Sequence, residues 1–107
     1  MVLNKCQEDY IMKQMAVQEV KTLLNEGENL NIIDVREVDE VSKGKILGSV
    51  NIPLGLVEFR MHELDKGKQY IMVCRSGARS GRATQFLEEH GFNVINMTGG
   101  MLAWEGK

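Results

Sequence analysis

A single cysteine, set between an apolar run and a helical pattern, constrains this chain more than any other feature. Tyr70-Ile71-Met72-Val73 reads as a buried strand, and Ala83, Phe86 and Leu87 follow at helical spacing. Between them runs Cys74-Arg75-Ser76-Gly77-Ala78-Arg79-Ser80, which places a thiol where a strand ends and a helix begins. The first turn of a helix carries backbone N–H groups with no partner inside the helix, and their dipoles make that end partly positive. Gly77 lets the backbone curl so that several N–H groups point inward as an anion nest. Arg75 and Arg79 add positive charge. Thiols in comparable sites ionise at pKa values of ~3.5–7.5, against ~8.5 for a free cysteine. Cys74 is therefore read as a thiolate nucleophile at neutral pH. The competing reading is an inert core cysteine, but a core position does not call for two arginines and a glycine around it.

The spacing bears on which anion fits. Cysteine phosphatases use a C-x5-R loop wide enough for a tetrahedral phosphate, whereas Cys74 to Arg79 is C-x4-R. The shorter loop makes a tighter bowl, better suited to one extra sulfur atom on the cysteine. Three further segments accompany it in order: Asp34-Val35-Arg36-Glu37, Gly44-Lys45-Ile46-Leu47-Gly48-Ser49-Val50-Asn51-Ile52-Pro53, and Thr98-Gly99-Gly100-Met101-Leu102-Ala103-Trp104. Together with the cysteine loop, they resemble the D-V-R-E, G-H-I-x-G-A-x-N-I-P, active-site and G-G-x-x-A-W segments of rhodanese-like sulfurtransferases. The resemblance runs from about Met15 to Glu105. Lys45 stands where the family usually has histidine and Ser49 where it has alanine, both outside the loop.

Length and composition agree with one globular domain. The chain has 107 residues, 43% hydrophobic and 26% charged. A net charge of −2 gives no support for a nucleic-acid partner. Met1 to Asp9 lacks the apolar core and cleavage site of a signal peptide, and no run reaches the ~18 apolar residues of a membrane helix. Two cysteines, Cys6 and Cys74, are too few for a disulfide scaffold, which points to a reducing cytoplasm. Neither cysteine has metal-ligand spacing to His62 or His90. The seven methionines are scattered, so core filling is a better account than soft-metal binding. Cys6 is either a resolving thiol for Cys74 or an exposed residue in a loose terminus, the second being favoured.

Along the chain, residues 1–14 form a partly ordered arm in which Tyr10-Ile11-Met12 is available to pack on the domain of residues 15–107. Helices are expected over Ala16 to Glu26, briefly over Val38 to Lys43, over Leu54 to Leu64 and over about Ser80 to His90. Strands are expected over Leu30 to Val35, Ser49 to Ile52, Tyr70 to Val73 and Val94 to Met97. Met101, Leu102 and Trp104 belong to a last short helix that caps the core. The alternation argues for an α/β fold with a mainly parallel sheet and helices on both faces. The resemblance sharpens this to a rhodanese-like fold, a five-stranded sheet with the reactive loop between the fourth strand and the next helix. His62 reads as a surface residue rather than a proton donor.

The resemblance implies a sulfurtransferase of the thiosulfate sulfurtransferase type. Cys74 would take a sulfane sulfur from thiosulfate or a related small donor as a persulfide and pass it to cyanide or a thiol. The loop Arg75, Ser76, Gly77, Ala78, Arg79 and Ser80 would bind the substrate and stabilise the persulfide through its N–H groups. Arg75 is expected to point outward and attract a dianionic donor. Arg79 either contacts the anion or braces the loop against a carboxylate such as Asp34. Arg36 either rims the pocket or holds loops together. No metal or organic cofactor is implied, and a thioredoxin-like or sulfur-relay protein is a fitting partner. Three alternatives stay open: a persulfide carrier or redox partner with low thiosulfate turnover, a phosphatase or arsenate reductase on the same fold, and a non-catalytic binding module.

Overall fold

The computed structural model describes residues 11–106. Its strands are β1 (Gln14–Ala16), β2 (Asn31–Asp34), β3 (Val50–Asn51), β4 (Gln69–Val73) and β5 (Asn93–Thr98). Its helices are α1 (Val17–Asn25), α2 (Val38–Ser42), α3 (Val57–Arg60), α4 (Ala78–Glu89) and α5 (Gly100–Trp104). The strands form one sheet in the order β1-β5-β4-β2-β3, and every pairing is parallel. Parallel strands need crossovers, and these carry the helices to the two faces.

Side-chain alternation along the strands sorts the core into two layers. On one face Ile33, Val35, Tyr70, Met72, Cys74 and Val94 pack with Val57 of α3 and with Ala83 and Leu87 of α4. On the other, Ile32, Ile71, Val73 and Met97 pack with Val17 and Val20 of α1 and with Met101 of α5. Trp104 joins this second layer half-buried, with the Lys21 ammonium 5.0 Å from its ring centre. Both faces of β4 are thereby covered, which explains its unbroken apolar run.

The expected α/β architecture is the observed one. Three details differ. Gln14–Ala16 is a strand, paired from Gln14 opposite Asn96 to Ala16 opposite Thr98, so the sheet takes in Gln14 on the arm side of the expected boundary. The segment from Leu54 is not one helix: a 3-10 turn (Leu54–Leu56), the short α3 and a second 3-10 turn (Met61–Glu63) follow one another. Helix α4 begins at Ala78, two residues before the expected start, because Gly77 at φ 105° turns the backbone into it. Ile11 is exposed, whereas the Met12 side chain lies over Gly81, whose Cβ, if it had one, would be 3.9 Å from the Met12 sulfur. Tyr10 and Cys6 lie outside the described residues.

The chain leaves β2 toward β3 on one side and β4 toward β5 on the other. The carboxyl ends of β2 and β4 therefore flank the topological switch point, where open parallel sheets place their binding crevices. Arg36 follows the first of these strands and Cys74 the second.

Candidate active site

Cys74 is fully buried at the end of β4, its sulfur enclosed by the turn that follows. The Gly77 N–H donates to Sγ at 3.0 Å, and the Ser80 Oγ lies 3.3 Å from it. Burial, the largest single influence, raises the thiol pKa. The Ser80 hydroxyl and the N–H groups of Ser80, Gly77 and Ser76 together outweigh it, and Cys74 is held below the ordinary thiol value. Among the described residues Cys74 is the free cysteine.

The carbonyls of the turn are tied down from behind. Met101 N–H donates to the Cys74 carbonyl at 2.9 Å and Leu102 N–H to the Arg75 carbonyl at 3.0 Å. This close seating of α5 requires Gly100, at φ 57°: a Cβ there would lie 2.6 Å from the Cys74 carbonyl oxygen. Asn96, buried on β5, donates from Nδ2 to the Gly77 carbonyl at 3.2 Å and accepts from the Ser80 hydroxyl at 2.6 Å.

The residues singled out from sequence are thus brought together, with one partner corrected. Arg75, Ser76 and Gly77 form the turn, while Ala78, Arg79 and Ser80 are the first turn of α4, which brings the Ser80 N–H to the sulfur. Arg79 braces the loop, but against Glu40 of α2 rather than Asp34, through paired bonds of 2.7 and 2.8 Å. Asp34 is not available, because its carboxylate receives the Arg36 N–H at 3.1 Å and the Arg36 guanidinium at 2.8–3.1 Å. Arg36 also donates to the Gly44 carbonyl at 2.8 Å. This buried side chain therefore ties the end of β2 to the loop after α2, and hydrogen bonding to Asp34 raises its pKa further. Arg36 also lines a cleft of about 310 Å³ with Arg75, Lys43, Glu40, Leu102 and Glu105. Asn51 fixes the β2 end too, donating to the Asp34 and Arg36 carbonyls at 2.8 and 2.9 Å. His62 is exposed, with Nδ1 beside the Phe59 carbonyl.

Sequence reasoning missed Glu40 and Asn96. Asn96 had a signal: a polar side chain inside the apolar run Val94-Ile95-Asn96-Met97 needs a buried partner.

A thiol cradled by N–H groups at the switch point of a parallel sheet defines the class of reactive-cysteine α/β domains. The particular family follows from likeness to known proteins. The rhodanese-like domain model matches residues 16–107, and the chain belongs to that family. It is 42% identical over 96 residues to "Putative sulfurtransferase YtwF" of Bacillus subtilis, covering 90% of this chain and 93% of that protein. It is 41% identical over 95 residues to "Putative sulfur carrier protein YrkF" of the same organism, covering 88% of this chain but only 51% of that protein. The crystal structure of a rhodanese-like domain protein from Staphylococcus aureus superposes with a TM-score of 0.84 at 33% identity, covering 87% of this chain and 91% of that one. Among the described residues, no helix is long and apolar enough to cross a membrane.

Proposed function

We propose that the protein is a sulfurtransferase that moves a sulfane sulfur from thiosulfate or a related donor, through a persulfide on Cys74, to cyanide or a thiol acceptor. The observation that carries this reading is the Cys74 sulfur set under the Gly77 N–H and Ser80 hydroxyl, with its acidity raised despite full burial. Membership of the rhodanese-like family and relatives named as sulfurtransferases support it.

In the first half-reaction the Cys74 thiolate attacks the outer sulfur of thiosulfate, the sulfur–sulfur bond of the donor breaks, and sulfite leaves with the electron pair. In the second, cyanide or a thiolate attacks the terminal sulfur and returns the electron pair to Sγ. One covalent intermediate shared by two half-reactions gives ping-pong kinetics. The N–H groups of Arg75 to Ser80 stabilise the anionic persulfide where its charge develops. Arg75 steers the dianionic donor. Arg36, held by Asp34, rims the cleft that it shares with Arg75. A reducing, cytoplasmic setting suits the reactive thiol, with a thioredoxin-like or sulfur-relay protein as macromolecular partner.

A second reading, a persulfide carrier loaded by another protein, is favoured by the likeness to a protein named as a sulfur carrier. Intact mass after incubation with thiosulfate, with Cys74→Ala as control, separates the two. A gain of one sulfur atom in the parent only, removed by cyanide, is expected of the sulfurtransferase. No gain, with Cys74 reduced and titratable, refutes thiosulfate as donor and leaves the carrier reading to be tested with protein persulfides.

A further inference from the structure

We infer that Asn96 is a positioning residue that holds the Ser80 hydroxyl proton while the Cys74 sulfur is neutral and gives it up when that sulfur carries charge. Ser80 Oγ has one proton and two acceptors within reach, Asn96 Oδ1 at 2.6 Å and Cys74 Sγ at 3.3 Å. It cannot donate to both. The Asn96 amide has its orientation set, because Nδ2 donates to the Gly77 carbonyl at 3.2 Å. The reversed amide would set oxygen against oxygen there, so Oδ1 faces Ser80 as an acceptor. Ser80 and Asn96 are both buried, which makes an unpaired hydroxyl costly.

With a neutral sulfur, the short bond to Asn96 wins. With an anionic sulfur, the charge-assisted O–H···S bond is roughly twice as strong as a neutral one, and rotation about the Ser80 Cβ–Oγ bond delivers it without moving a heavy atom. This assignment rests on Cys74 as the reactive group, and in the sulfur cycle it gives the hydroxyl two positions. When the persulfide forms, Sγ becomes neutral, the charge moves to the outer sulfur, and the Ser80 proton turns back to Asn96. When the acceptor attacks the outer sulfur, the S–S bond breaks, the electron pair returns to Sγ, and the hydroxyl turns to meet it. Ser80 keeps its proton throughout. Asn96 thus opposes ionisation of Cys74 through Ser80 while ordering the turn through Gly77.

A double-mutant cycle separates these two actions. The chain carries Cys6→Ser so that only Cys74 titrates, and its thiolate absorbance is followed against pH without any sulfur donor. Ser80→Ala is expected to raise the Cys74 pKa. Asn96→Ala, with Ser80 present, is expected to favour the thiolate roughly threefold to tenfold more than the same change does beside Ser80→Ala, the worth of one neutral hydrogen bond. Loosening of the turn at Gly77 occurs in both backgrounds and cancels. The charged groups around the site cancel likewise: Arg79 of α4 with its partner Glu40 of α2, Asp34 with Arg36 at the end of β2, and Arg75 in the turn. Asn96→Leu keeps the volume but cannot accept, and it should give the same sign should Asn96→Ala fail to fold. Equal effects in the two backgrounds, or coupling of the opposite sign, would overturn the assignment. The titration needs no sulfur transfer, so a failure of the sulfurtransferase reading is distinguishable from a failure here.

Discussion

Replacing Glu40 by glutamine keeps the size of the side chain and removes the charge that faces Arg79. Glu40 sits at the third position of α2. One oxygen accepts from the Glu37 N–H at 2.9 Å in a capping box, and both receive the Arg79 guanidinium. Arg79, then Glu37, hold its carboxyl down from 4.5 to about 2. Such a fall corresponds to at most about 3 kcal/mol of stability. Water reaches the pair, whose side chains are 28% and 29% exposed, so roughly 1–1.5 kcal/mol is expected in practice. Glutamine still accepts from the Glu37 N–H, so the cap is retained. Because the carboxyl is more acidic folded than unfolded, its contribution is fully present above pH 4.5 and is lost as pH falls toward 2. Urea unfolding followed by Trp104 fluorescence should therefore show the parent more stable than Glu40→Gln near neutrality, the gap closing as the pH drops through that window. Arg79, released from its partner, is also expected to make Cys74 more acidic, since its charge reaches that sulfur. The variant should be less stable and its thiol more readily alkylated at low pH. A gap that stays constant from neutrality down to about pH 3 would refute the electrostatic account of this brace.

Other perturbations address the same framework. Gly100→Ala places a methyl group 2.6 Å from the Cys74 carbonyl oxygen at a backbone φ of 57°; a loss of about 3 kcal/mol or more, with a raised Cys74 pKa, is expected in urea unfolding and thiol titration. Arg36→Leu leaves the Asp34 carboxylate buried without its partner and should cost roughly 3–5 kcal/mol in the same unfolding assay. Arg75→Glu should raise the KM for thiosulfate by tenfold or more through lost steering while leaving the midpoint of urea unfolding nearly unchanged; unchanged thiosulfate kinetics would remove the steering role.

Local pattern carried the strand–turn–helix around Cys74 into view because its residues are contiguous: four apolar positions, a glycine and a helical period occupy one stretch. The same holds for Asp34 and Arg36, two residues apart. Strand β1 was hidden because three residues, Gln14, Met15 and Ala16, carry no period of their own; β5 defines them by pairing some 80 residues away. Glu40 as the partner of Arg79 was equally unreadable, since 39 residues separate them and another carboxylate, Asp34, looked available. It was already taken by Arg36. The apolar content of Leu54 to Leu64 predicts one helix, but without regular 3.6-residue spacing the segment breaks into 3-10 and α turns. Asn96 was visible but unused: a strand buried on both faces has no reason to hold an amide unless something buried needs one.

The seating of α5 against the turn has a consequence for the polarity of the site. Every peptide unit is a two-ended dipole, and fixing one end orients the other. Met101 and Leu102 take the carbonyl ends of Cys74 and Arg75, and Asn96 with Gly81 N–H takes that of Gly77. With the Arg75 oxygen held at the rear, the other end of the same unit, the Ser76 N–H, is left to the sulfur, where it lowers the Cys74 pKa. The positive lining of the bowl is thus set in part by the scaffold outside it and not by its seven residues alone. The same heptapeptide grafted onto a sheet without α5 and Asn96 would keep its sequence and lose the outside hold on the Ser76 end of its field.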